Sequence, residues 1–212
     1  MSEFIMNEDQ SPLERRADEL RELVLAKEPT HLANLTGTVF REGKNSSGYE
    51  FLYWGNPVLL SSVDHIARDP ETDQPLPAIH QAMILYYFSS SKRSSPVGKW
   101  ISFSELSDGQ FYNAAYQGYT SKKILQHFDV DYLGFENKCL EFCGEKTSFG
   151  DGAYRFQILP RIALLAVYWK GDDEFPPSYK ILFEDIADDH LPTDGCAILA
   201  SMLTGKLISQ YS

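Results

Sequence analysis

Acids, thiols, imidazoles and aromatic rings are the residues of this 212-residue chain whose spacing suggests chemistry. An acidic run, Gly171-Asp172-Asp173-Glu174-Phe175-Pro176-Pro177, follows a continuous apolar stretch. Hard divalent cations take several oxygen ligands, and loops present such ligands well. Asp172, Asp173 and Glu174, with His190, are therefore candidate metal ligands. An ion held there would polarise a substrate and generate hydroxide. A second acidic group, Glu184, Asp185, Asp188 and Asp189, leads into His190. A hairpin through this region puts the first group at its turn and the second at its far end. EF-hand spacing is absent. The plainer reading is a pair of solvated loops whose acids and prolines protect sheet edges.

Cys139 and Cys143 stand four apart in Cys-Leu-Glu-Phe-Cys, which on a helix puts both sulfurs on one face. With Cys196 they number three, whereas zinc and iron–sulfur sites usually take four ligands. Small buried hydrophobes are the simpler account. Histidines 31, 65, 80, 127 and 190 form no H-x-x-x-H or H-x-H pattern. His80 lies in an apolar helical stretch, where it is a candidate axial ligand for a tetrapyrrole metal. The 13 Phe, 12 Tyr and 3 Trp include Trp54, Trp100 and Trp169, all placed in expected strands. They offer stacking surface for a flat ligand, or simply an aromatic core. Gly150 and Gly152 fit neither the Walker nor the Rossmann pattern, and no Gly-x-Ser-x-Gly occurs.

Composition narrows the partners. With 30 acids and 19 bases the net charge is −11, which disfavours nucleic acid and anionic membrane surfaces. Residues 172–194 hold eight acids and one base, so any charge-steered contact with a basic protein partner belongs there. The run Ile162–Trp169 is far shorter than the roughly 20 residues that span a bilayer. The start, MSEFIMNEDQ, lacks the basic and long apolar regions of a signal peptide. Three cysteines imply no disulfide framework, and a reducing cytoplasm is the expected setting.

The elements that must position these residues follow from periodicity. Ser11, Pro12 and Glu14 form a helix start, and Leu13, Ala17, Leu20 and Val24 give it one apolar face to about Lys27. A short helical segment covers His31–Leu35. Tyr49–Trp54 and Val58–Ser61 read as a hairpin, Asp69–Pro77 as a loop and Ala78–Phe88 as a buried helix. SSSKRSSP at 89–96 reads as a flexible loop tip. Lys99–Phe103 reads as a strand. Helices are expected over Gln110–Tyr116, Ser121–Phe128 and Tyr132–Cys143, the last closed by Gly144. Ala153–Leu159, Ile162–Trp169 and Tyr179–Phe183 form an antiparallel meander, and a helix over Pro192–Ile208 closes the chain. The expected fold is α+β: a small, mainly antiparallel sheet, made of the C-terminal three-strand meander and the N-terminal hairpin, packed with several helices. A helical segment at 1–28 precedes a single α+β domain at 29–212.

Residues 150–194 also resemble a known family. The pattern is Gly150-Asp151, Phe156, Leu159-Pro160-Arg161, Trp169, Gly171–Pro177, Leu182-Phe183 and Leu191-Pro192, with Trp100, Phe103 and Leu106 upstream. It is similar to the uncharacterised domain-of-unknown-function 3786 family of mostly anaerobic prokaryotes, from about Leu32 onward. That resemblance supplies no reaction. Some members look like fusions to a four-cysteine iron–sulfur domain similar to that of corrinoid proteins, and the first 30 residues here hold no cysteine. The resemblance implies an indirect association with corrinoid, haem or one-carbon metabolism.

Three functions are therefore expected in order. The first is a non-enzymatic protein holding a flat tetrapyrrole-type cofactor, corrinoid or haem. Trp100, Asp151, Arg155, Arg161, Trp169 and His80 would line the site, with arginine pairing to propionate or phosphate. The second is a divalent-metal-dependent, hydrolase-like enzyme built on the acidic loop. The third is an acidic protein-interaction module.

Overall fold

The computed structural model describes residues 12–43, 47–94 and 96–209, with the side chains of 12–14 left aside. The cap expected at Ser11 and Glu14 thus lies outside the described residues. Helix α1 (Pro12–Leu25) puts Ala17, Leu20 and Val24 into the core, the three-and-four spacing seen in the sequence. Glu28 caps α2 (Pro29–Thr36) by accepting from the amides of Thr30 and His31. Gly37, at φ 65°, closes it in the left-handed region.

Four strands follow: β1 (Val39–Arg41), β2 (Gly48–Tyr53), β3 (Asn56–Ser61) and β4 (Ala67–Arg68), antiparallel in chain order. In β2 the alternation of types buries Tyr49, Phe51 and Tyr53 and leaves Glu50 and Leu52 outside. Phe88 of helix α3 (Ala78–Ser90) meets Tyr49 at 5.0 Å and Phe51 at 5.6 Å between ring centres.

The second sheet has the order β5-β9-β8-β7-β6, all neighbours antiparallel. Its strands are β5 (Trp100–Ile101), β6 (Glu145–Thr147), β7 (Gly152–Leu159), β8 (Ile162–Trp169) and β9 (Ser178–Glu184). The meander is as expected, and β8 is buried on both faces, which explains its unbroken apolar run. Tyr154, Phe156, Leu164, Ala166, Tyr168, Ile181 and Phe183 face the main core. Against that face lie α4 (Gly109–Tyr119), α5 (Ser121–Phe128) and α6 (Tyr132–Glu141), together with α8 (Thr193–Leu207), which α7 (Ala187–His190) precedes. Phe103 and Tyr116 stack at 4.0 Å. No helix among the described residues is long and apolar enough to cross a membrane.

The α+β class holds, and four details differ from expectation. The hairpin and the meander form two sheets, because the hairpin buries its aromatic face on α3. The two sheets touch where Trp54 N donates to Ile158 O at 3.0 Å. The strand expected at 99–103 keeps only Trp100–Ile101, since Ser102 and Glu105 form a reciprocal cap that starts a 3₁₀ turn at Phe103. The loop tip expected at 89–96 begins as the last turn of α3. Ser91 is buried with Oγ donating to Tyr87 O, and Lys92 N donates to Asp189 O. Finally, α6 ends at Glu141, and Cys143 rather than Gly144 takes the left-handed turn, at φ 59°. Gly144 serves close packing instead: a Cβ there would sit 2.8 Å from Phe156 Cζ.

Candidate functional site

Residues expected to bind a cofactor divide between three places. Trp100, Arg155 and Trp169 share the outer face of the five-stranded sheet, with Trp100 beside Glu184 at one end of β9 and Trp169 beside Ser178 at the other. Ala153, Leu165, Val167 and Leu182 form a small separate apolar cluster there, flanked by both tryptophans. The long side chains close over it. Arg155 Nη2 reaches 3.4 Å from Glu184 Oε1, and Lys180 Nζ lies 5.4 Å from the centre of the Trp169 ring. Asp151 stands at the end of this face, where its carboxylate accepts from Lys170 N at 2.8 Å. The flanking rings and long charged side chains therefore cover a second, minor core.

Arg161 lies in the β7–β8 turn. Its backbone N donates to Tyr87 Oη at 3.1 Å, and its Nη2 donates to Asn34 O at 3.1 Å, in the last turn of α2. That is where a guanidinium favours exposed helix carbonyls.

The acidic residues are also separated. Asp172 accepts from the amides of Glu174 at 2.9 Å and Phe175 at 2.8 Å, and those bonds hold its carboxyl below the usual range. Asp173 and Glu174 are exposed. His190 is fully buried beyond the opposite end of β9, its ring between Ser91 Oγ at 3.2 Å and Ser94 Oγ at 3.0 Å. Asp188 accepts from Ser107, and Asp189 pairs with Lys92. Among the described residues, no three His, Cys, Asp or Glu side chains converge to hold one ion. The His190–Ser94 contact has the spacing of a base and a nucleophile. Burial lowers the His190 pKa to about 4, and a serine stands where an orienting carboxylate is usual, so His190 is a weak base.

The thiols part company as well. Cys139 is buried, Cys143 is exposed beyond the helix, and Cys196 is buried in α8. The shared helix face expected for Cys139 and Cys143 does not form, because the helix ends before the second thiol.

His80 opens onto a recess. The recess, about 520 Å³, lies between the β2–β3 turn, the 69–77 loop, the start of α3 and the end of α8. Tyr53, Trp54, Leu76, His80 and Lys206 line it, with Asn56, Asp69 and Glu71 also on its wall. His80 Nδ1 is 3.0 Å from Tyr53 Oη, and Nε2 has no hydrogen-bond partner among the described residues. Burial, and then the charge of Lys206, push the His80 pKa down, so the ring stays neutral at neutral pH. The Lys206 ammonium lies 5.2 Å from the centre of the Trp54 ring.

Trp54 was expected in a strand and instead occupies the turn. Its φ is 52° and that of Gly55 is 76°. Two-residue hairpin turns of this kind favour Asn-Gly, and a bulky residue at positive φ is a strained choice. Such strain concentrates at functional positions. The sequence singles out His80 as an axial ligand and Trp54 as a stacking ring, but does not bring the two together or mark the other residues of this recess. The available signal was Trp-Gly standing where Asn-Gly is favoured.

A family model described as Domain of unknown function (DUF3786) matches residues 28–206. No curated protein and no solved structure matches the chain.

Proposed function

The chain belongs to this DUF3786 family, and from that premise we propose that it is a non-enzymatic small-molecule-binding or accessory protein of the cytoplasm. Its ligand would be a flat, largely apolar ring of tetrapyrrole type, corrinoid or haem, seated in the recess beside His80. The observation that carries this reading is the His80 imidazole at the wall of the recess, oriented from behind by Tyr53. A metal-ligating histidine usually has its other ring nitrogen fixed by such a partner. The competent tautomer donates Nδ1–H to the Tyr53 oxygen and leaves the Nε2 lone pair free. Trp54 and Leu76 supply apolar wall, and Lys206 would meet a peripheral carboxylate or phosphate. Asn56, Asp69 and Glu71 supply acceptors for ring amides. The bound metal would supply whatever redox or ligand-exchange chemistry the ring is carried for.

The test is an ultraviolet–visible spectrum of anaerobically purified protein, repeated after adding haemin or cobalamin and gel filtration. A Soret or corrin band that travels with the protein and is lost in His80→Ala supports the reading. A featureless spectrum under all conditions, or a band unchanged in His80→Ala, overturns it.

The acidic 172–174 loop supports a second reading, an interaction module for a basic partner. Asp173 and Glu174 are exposed, and Phe175 beside them is 68% exposed. Co-purification that dissolves at about 0.5 M salt would indicate it, because charges are then screened within a few ångströms. A divalent-metal enzyme using Asp172, Asp173, Glu174 and His190 draws less support, since His190 lies beyond the far end of β9.

A further inference from the structure

Five of the eight arginines form ion pairs with carboxylates: Arg16, Arg21, Arg41, Arg68 and Arg155. Of the three that form none among the described residues, two line the same pocket. It measures about 530 Å³ and is bounded by α2, the segment after α3 and the β7–β8 turn. Its lining is His31, Asn34, Leu35, Arg93, Ser94 and Arg161, with no carboxylate among them. In a chain of net charge −11, two guanidiniums facing one recess without a counter-ion are an unusual arrangement.

Arg161 is held in place from several sides. Its amide is bound by Tyr87, and its Nη2 is bound by Asn34 O. Its side chain lies against Gly37, where a Cβ would come within 3.3 Å of Nε. That Nε is buried and has no hydrogen-bond partner among the described residues. Capping of α2 accounts for the Nη2 contact. It accounts neither for the unmet Nε nor for the second guanidinium. Ser94 is positioned too, since His190 behind it holds its hydroxyl at 3.0 Å.

We propose that this pocket binds the phosphate group of a small phosphorylated molecule. Arg161 and Arg93 would present forked donors to the dianion, the geometry that guanidinium and phosphate share. Ser94 would add a hydroxyl, and His31 would close one side. The volume falls in the range of small-molecule sites, so the ligand extends beyond the phosphate itself. The site is separate from the recess at His80, and its test does not depend on that reading.

Calorimetric titration with inorganic phosphate and with glycerol phosphate, at ionic strength matched with potassium chloride, tests it on the full chain. Binding in the millimolar range or tighter is expected, tighter for the ester. Arg93→Gln should weaken it at least tenfold, and Arg161→Gln should abolish it. Arg93 is exposed, so its replacement leaves the fold intact and carries the test even if Arg161→Gln misfolds. Absence of heat with either ligand overturns the proposal. So does equal binding by wild type and Arg93→Gln, or a signal that potassium chloride alone reproduces.

Discussion

Arg155 on β7 and Glu184 on β9 meet at 3.4 Å across the intervening strand β8. Beneath the pair, Ala163 and Leu165 are completely buried, although among the described residues no helix contributes to the apolar cluster on this face. Glu184→Ala should leave Arg155 with Gln157 and the longer ion pair to Glu145 as its remaining partners, and uncover Leu165. Since Arg155 keeps some solvent, the expected loss of stability is about 1 kcal/mol, with a red shift of tryptophan emission from Trp100 and Trp169. Leu165→Ala should cost more, roughly 2–4 kcal/mol, because it opens a cavity. Urea unfolding of both variants measures the difference.

Burial lowers the pKa of His65, His80 and His190 alike. Each binds a proton more readily when unfolded, so stability should be level above pH about 6.5 and fall as pH drops below it. For His190 the fall runs from about 6.5 to about 4 and is on the order of 3 kcal/mol. His190→Gln should flatten the dependence over that window, whatever it does at pH 7. Equal slopes for wild type and variant in urea titrations would refute the assignment.

Only one thiol should react in the native protein. Cys139 and Cys196 are buried, and burial raises both pKa values well above the free thiol. Cys143 is exposed beyond the end of α6. Alkylation followed by peptide mass spectrometry should find Cys143 modified alone, and all three cysteines modified in denaturant.

Tyr53→Phe keeps the shape of the recess and removes the hydroxyl that orients His80. The stability change should be about 1 kcal/mol. If the ring of a tetrapyrrole is held through His80, its affinity should fall about tenfold and its band should shift. An affinity unchanged from wild type would separate Tyr53 from ligand binding.

Gly144→Ala should destabilise by roughly 1–3 kcal/mol, since its Cβ would lie 2.8 Å from both Cys139 O and Phe156 Cζ. Thermal melts decide this, and an unchanged midpoint would mean that the Phe156 ring yields.

Legibility followed the range of the interactions. The unbroken apolar run of β8 and the period-two burial of β2 were plain in the sequence, because each records how one segment meets the core. The last helix was equally plain: Leu199, Leu203 and Leu207, four apart, are all fully buried. Failures came where one side chain overrode a local pattern. Ser102 and Glu105 stop a strand, and Ser91 turns a polar stretch inward. Of the residues expected at a cofactor site, Trp100, Arg155 and Trp169 lie on one sheet face, since alternate positions on paired strands share a face. What that face carries is a covered cluster rather than an opening.

Composition and periodicity by themselves determined the α+β class, the meander, the buried helices and the acidic character. These depend on burial summed within single segments, which types and spacing record directly. Only the tertiary structure decided that Tyr53 meets His80, that Lys206 covers Trp54, and that Arg93 and Arg161 share a pocket. Those partners stand 27, 152 and 68 positions apart. No local period links them. They are brought together by loop paths and by many weak contacts between packed elements, and each such contact is too small to leave its own mark on the sequence.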